Sequence, residues 1–260
     1  MLGLGSGIPR VEIAETFSTV TANTKSMHFD NAGDHLLLAD QDEFSFSGTE
    51  DLDDTAFSLS CWVIRDGQSS DGLVCKGTET AGDLEWRVFW VGSSMYVDLS
   101  DGGVASANYR RAVFPNAHTG WHHITITHSP ERRSISRGLR CYINGSDIAS
   151  SSEGGIDIEG MTPGTGTLLI GRIDNTSYHL GGSICQFVIW KDYIISENEA
   201  QYLYNSADKP INVLASSSDY SGHNSVVLWL KLNTDGNDSS GNSFNASAVG
   251  DAALTSETPF

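Results

Sequence analysis

The sequence predicts an all-β domain built as a two-sheet antiparallel β-sandwich, and three observations predict it. Residues 121–128 (WHHITITH) and 139–143 (LRCYI) alternate with the period of two that marks half-buried strands, Ile124 and Ile126 falling on one face and Thr125 and Thr127 on the other. Asn144-Gly145 follows the second run at once. Both residues tolerate the positive φ of a type I′ turn, so the pair signals a two-residue hairpin. Finally, 27 glycines, with frequent Ser, Asn and Asp, punctuate short apolar runs along the whole chain, as many strands and turns require.

The elements follow in order. Residues 1–25 are small and polar and read as an extended N-terminal arm ahead of one domain over 26–260. Residues 26–38 (SMHFDNAGDHLLL) read as strand, turn and strand, with the turn at 30–34. An acidic loop covers 40–54, and 57–64 (FSLSCWVI) is a strand with Phe57, Leu59 and Cys61 toward the core. Residues 72–77, 84–91 and 94–99 give further strands before the central hairpin, and 167–171 and 182–190 give two after it. Ser196-Glu197-Asn198-Glu199 is a capping box, so a short helix starts there and runs to about Tyr204. Near the C-terminus Val226, Leu228, Leu230 and Leu232 alternate with Val227, Trp229 and Lys231, an apolar strand over 226–232 that needs a sheet on one side. It either closes its own sandwich, since termini of compact domains lie close together, or enters a neighbouring copy and makes a homo-oligomer. Donation would leave each lone protomer with an open edge, which favours the first.

These segments carry a resemblance. GWHHITIT followed by LRCYING resembles the W-H-H-V-A … L-Y-V-N-G core of laminin-G-like and pentraxin-like domains, which are jelly rolls of the concanavalin A-like superfamily. SMHFDNAGDHLLL, FSLSCWVI, TLLIG, GSICQFVIW and the 196–204 helix resemble further parts of that family in the same order. Cys185 and Gln186 stand where the family has an acidic pair, so any role of those carboxylates is absent here. VVLWLKLNTDGNDSSGN resembles the segment with which such domains usually begin, yet here it comes last. The resemblance thus implies a concanavalin A-like jelly roll with a circularly permuted C-terminal strand. The opening Met-Leu-Gly-Leu-Gly is similar to the start of virion proteins of marine tailed phages, cyanophages among them.

Charge and pattern exclude several functions. Asp and Glu number 33 against 15 Lys and Arg, a net −18 that repels phosphates and argues against nucleic acid. No apolar run approaches a membrane span. The N-terminus lacks the basic and apolar regions of a secretory signal, which points to assembly in a cytoplasm. Cys61, Cys75, Cys141 and Cys185 read as small buried hydrophobes rather than disulfides. His122 and His123 point to opposite faces of one strand, and His128 lies roughly 20 Å from His122, so the three share no metal. The resemblance brings glucanases with an E-x-D-x-E strand into view. In Gly155-Ile156-Asp157-Ile158-Glu159, however, glycine occupies the nucleophile position, and no enzyme is expected.

Two kinds of binding site remain. Calcium takes oxygens from turns, and relatives in the resembled family bind it in loops. The turn clusters Asp30, Asn31 and Asp34, then Asp174 and Asn175, then Asp235, Asn237, Asp238 and Asn242 are its candidates, against their other reading as plain turn formers. Trp86, Trp90 and Tyr96 are candidates to stack on a sugar ring, against their other reading as core. The function expected is a non-enzymatic phage virion surface protein, a capsid decoration protein or head/tail appendage. The arm would dock it to other virion proteins, and its jelly roll would present loops to host-surface glycans. The alternative is a calcium-assisted carbohydrate-binding domain of a larger surface protein.

Overall fold

The computed structural model describes residues 23–48, 54–78, 82–102, 109–116, 119–130, 138–155, 158, 160–173 and 178–260. In chain order the strands are β1 (Ser26–Asp30), β2 (His35–Leu38), β3 (Phe57–Arg65), β4 (Ser70–Lys76), β5 (Trp86–Val91), β6 (Ser94–Ser100), β7 (Tyr109–Pro115), β8 (His122–His128) and β9 (Leu139–Ile143). There follow β10 (Ser146–Ile148), β11 (Ser152–Gly155), β12 (Leu168–Ile170), β13 (Arg172–Ile173), β14 (Tyr178–His179), β15 (Gly181–Lys191), the helix α1 (Glu197–Tyr204), β16 (Val226–Leu230), β17 (Ser247–Val249) and β18 (Ala253–Thr255).

Two eight-stranded sheets face each other. One runs β10-β9-β8-β3-β15-β1-β18 with β16 also paired to β15, and the other runs β11-β7-β6-β5-β4-β12-β2-β17. Their inner faces share one core. Phe57, Leu59, Cys61 and Val63 of β3 supply one side of it, and Trp86, Val88, Trp90, Val97 and Leu99 the other. Along β3 every second residue points into this core, which is the period of two read from the sequence, while β8 and nearly all of β15 are buried on both faces. The central strands pair as expected, Ile124 of β8 with Ile143 of β9 and Ile126 with Cys141, and Asn144 (φ 50) and Gly145 (φ 76) make the two-residue turn from β9 to β10, closed by the pair Ile143 and Ser146. The four cysteines are free and buried.

The outer face of the first sheet is covered by α1 and residues 205–225. They bury Val188, Trp190, Leu203, Val213, Tyr220 and Trp229 in a second cluster. α1 starts at the capping box: Glu199 N–H donates to Ser196 Oγ (3.3 Å) and Ser196 N–H to Glu199 Oε2 (2.9 Å). Among the described residues no helix is long and apolar enough to cross a membrane.

β15 is 11 residues long, and two strands share its edge. β1 pairs with its first half (Phe29 with Gly182) and β16 with its second (Phe187 with Leu230, Ile189 with Leu228). The C-terminal strand therefore completes the sandwich of its own chain. At the junction Gln186 adopts φ 52 in a bulge and ties the segment ahead of β1 to β16. Its Oε1 accepts from Trp229 Nε1 (2.7 Å), and its Nε2 donates to Asn23 Oδ1 (2.9 Å). Of the arm expected over 1–25, residues 1–22 lie outside the described residues. The remaining three are not an arm: Asn23 is 3% exposed, and Thr24 and Lys25 donate backbone N–H groups to Asn233 Oδ1. Beyond β16 the chain adds β17 to the edge of one sheet and β18 to the edge of the other, so its last residues border both.

Candidate functional site

The outer face of the second sheet carries a groove of about 370 Å³. Cross-strand register builds its floor: Arg87 on β5 lies opposite Asp98 on β6, which lies opposite Arg111 on β7. Asp98 is fully buried and holds both guanidiniums. Arg87 Nε donates to its Oδ2 (2.8 Å), Arg111 Nε to its Oδ1 (2.6 Å) and Arg111 Nη2 to its Oδ2 (2.7 Å). One register step away Phe89 faces Tyr96, and their rings stack at 5.1 Å. The Arg111 guanidinium lies 5.1 Å from the Tyr96 ring and 4.2 Å from the Tyr109 ring. The β13–β14 ribbon makes the wall, its Tyr178 edge-on to Phe89 at 5.4 Å. Gly72 lets the ribbon come this close, since a Cβ there would sit 2.5 Å from Ile173 N and Tyr178 O.

The groove combines apolar rings with polar groups that lack a protein partner. Among the described residues the hydroxyls of Tyr96, Tyr109 and Tyr178 accept and donate no hydrogen bond, and neither does Arg111 Nη1. Burial works against the Arg111 charge, but bonding and attraction to Asp98, then to Tyr109 and Tyr96, outweigh it and push its pKa up. The guanidinium is a permanent cation. Rings to stack on, hydroxyls to donate and accept, and a fixed fork of N–H donors suit a polyhydroxylated ligand.

Of the three aromatics read as candidates to stack on a sugar, one lies in the groove. Trp86 and Trp90 are 1% and 0% exposed and belong to the core. Trp86 Nε1 donates to Phe44 O (2.9 Å), and the Arg65 guanidinium covers the Trp90 ring at 4.8 Å, so neither offers a face to a ligand. Tyr96 lies on the opposite side of the sheet, in the groove. Sequence reasoning missed Arg87, Phe89, Tyr109, Arg111 and Tyr178. A signal was present: Arg87 alternates with Trp86 and Val88, and a guanidinium seldom points into a core, so the arginine side of β5 faces out.

Comparison with known proteins settles the family. Residues 31–201 match the laminin G family model described as the concanavalin A-like lectin/glucanases superfamily. The chain belongs to the concanavalin A-like lectin/glucanase superfamily. Among solved structures this superfamily member is similar to the native heptameric SAP-like pentraxin of Limulus polyphemus. Identity is 12% over 91% of this chain and 96% of that one, with a TM-score of 0.52, which speaks for the fold. The binding domain of botulinum neurotoxin serotype D matches at 15% identity over 74% of this chain and 45% of that one, with a TM-score of 0.49. No curated protein matches the sequence.

For this superfamily member the sequence leads to calcium as the expected cofactor. Asp30 and Asp34 do come together, joined by Asp251, with ligand oxygens of all three within 4.8 Å of one another. Burial opposes ionisation of Asp34, yet backbone N–H groups of Asp251 and Asp30 hold its pKa down. Asp251, hydrogen-bonded to Asp34 and repelled by it, has its pKa raised. The donors are hard oxygens of the right kind. However, Asp34 Oδ1, Asp34 Oδ2 and Asp30 Oδ1 already accept backbone N–H groups, and three carboxylates alone fall short of the six to eight oxygens that calcium takes. Asn31 (φ 66) serves the turn itself. Asp238 is a turn former rather than a ligand: its oxygens accept from Trp229 N, Ser240 N, Ser240 Oγ and Phe244 N. Asp174 and Asn175 lie outside the described residues.

Proposed function

We propose that the chain is a carbohydrate-binding module whose contact surface is the groove of Tyr96, Tyr109, Tyr178 and Arg111. The observation that carries this is the set of unpartnered hydroxyls and Arg111 Nη1 gathered on aromatic walls in an open groove of about 370 Å³, within the usual size of a ligand pocket. The reading is one of binding. Among the described residues lining the groove there is no carboxylate, whereas glycoside hydrolysis uses two. Isothermal titration with oligosaccharides tests it. Tyr96→Ala and Tyr109→Ala each weaken binding roughly three- to tenfold while the fold is kept. Affinity that survives both changes places the sugar elsewhere.

Calcium belongs to the same proposal as an adjunct at Asp30, Asp34 and Asp251, with water supplying the oxygens that the three carboxylates do not. Its support is the convergence of three carboxylates. Added calcium raises the melting temperature of the wild type and leaves Asp251→Asn unchanged; equal responses contradict this. For the carrier we propose a phage virion, with the module as a capsid decoration protein or head/tail appendage that adheres to host-surface glycans and assembles in the host cytoplasm. Its support is the likeness of residues 1–5 to virion proteins. Removing residues 1–22 abolishes incorporation into particles and spares folding. Undiminished incorporation would take the docking role from that segment.

A further inference from the structure

From the lining of the same groove we infer that the ligand is an acidic sugar, one whose pyranose ring carries a carboxylate or a sulfate ester. This rests on the groove being the binding surface, and it adds what the groove selects. The chain holds 33 acidic residues against 15 basic ones, so a surface patch drawn at random would be acidic. Among the described residues the groove reverses that balance: two guanidiniums line it and no carboxylate does.

The compensating carboxylate lies beneath. Asp98 is fully buried, and its two oxygens are spent on holding Arg87 and Arg111 in place. Asp98 is shared between two arginines, so Arg111 has no carboxylate of its own. Its Nε and Nη2 are fixed on Asp98, and Nη1 remains with two N–H donors and no protein partner among the described residues. The Arg111 side chain is 20% exposed and lines the groove, so an anion can reach it while most of its surroundings are protein. A neutral hydroxyl would accept one such N–H. A carboxylate or sulfate accepts it with an opposite charge of its own, so Coulomb attraction between ligand and guanidinium adds to the bond. Tyr96 and Tyr109 flank the guanidinium at 5.1 and 4.2 Å, which sets stacking faces beside the anion position. Asp98 is the positioning residue: it aims the guanidinium without touching the ligand.

The experiment measures the affinity of the full chain for three size-matched probes: a galactose oligomer, a galacturonate oligomer and a sulfated galactose oligomer, each at about 50 mM and about 300 mM salt. The expected result is that one or both charged oligomers bind about tenfold or more tightly than the neutral one at low salt, with the ratio shrinking at high salt. Which charged oligomer leads decides between carboxylate and sulfate. Arg111→Gln lowers the charged-to-neutral ratio. Arg111→Lys, which keeps a cation against Asp98 should the glutamine variant fail to fold, lowers it less, because it keeps the charge and loses the fork. Equal affinity for all three probes overturns the acidic-sugar inference and leaves the groove as a sugar site. Binding of none of them overturns the groove reading and this inference with it.

Discussion

His123 lies between Trp62 and Tyr204, at ring distances of 5.2 and 6.5 Å, with Nε2 2.7 Å from Ser60 Oγ and Nδ1 buried without a partner. Burial, then the neighbouring His122, push its pKa from 6.5 down to about 3, and burial also lowers that of His128. Both rings are neutral in the folded chain. As pH falls below 6.5 the unfolded chain takes up protons that the folded chain refuses, so stability drops by about 1.4 kcal/mol per pH unit for each such histidine. For His123 the window runs from 6.5 to about 3. Melting curves between pH 7 and 4 check this: the midpoint falls with acid, and His123→Gln falls less steeply. A parallel slope in the variant would remove His123 as the cause. The adjacency of His122 and His123 made this legible in part, since opposite faces already excluded a shared metal. Its enclosure was not, because it depends on α1, which arrives some eighty residues later. Tyr96, Trp86 and Trp90 were singled out together, yet only Tyr96 stands on the outer face of its sheet. Alternation assigns residues to faces without saying which face is wet, and only the charge at Arg87 breaks that tie.

At the scale of elements, the strongest local signals were those whose chemistry is self-contained. Asn144-Gly145 and Ser196–Glu199 each hold their own turn or cap, and the structure contains both. Gly145 has a second duty. Its φ is 76, and an added Cβ would stand 2.7 Å from Gln201 Cα, so the hairpin packs directly on α1. Gly145→Ala must strain the turn and push the helix away. We expect a loss of about 1 kcal/mol or more, read as a lower denaturant midpoint. An unchanged midpoint would show that the hairpin and helix do not meet this closely. β17 and β18 escaped sequence reading because each is three residues long and largely exposed, with no alternation to detect. The β13–β14 ribbon escaped because its strands are two residues each, too short for alternation to register, and with it the wall of the groove.

Taken as a whole, the molecule is a sandwich whose two outer faces have different fates. α1 and its following segment seal one face, and the other stays open between the β13–β14 ribbon and Tyr109. The sealed face follows from the C-terminal strand: β16 must lie beside β15 for Trp229 to reach Gln186 and for the second cluster to close. The apolar alternation over 226–232 made that strand legible, and the open-edge argument made its return to its own sheet the better reading. What the alternation could not show was the charge pattern across strands. Arg87, Asp98 and Arg111 lie 11 and 13 residues apart on three consecutive strands and meet only through register. The groove is therefore a property of the assembled sheet, and it is where the account of function stands. Its most direct test is a crystal structure of the chain with a bound acidic oligosaccharide. The account predicts a sugar ring against Tyr96 or Tyr109, with its anionic group on Arg111. A well-ordered sugar seated anywhere else, with these three side chains untouched, would contradict it.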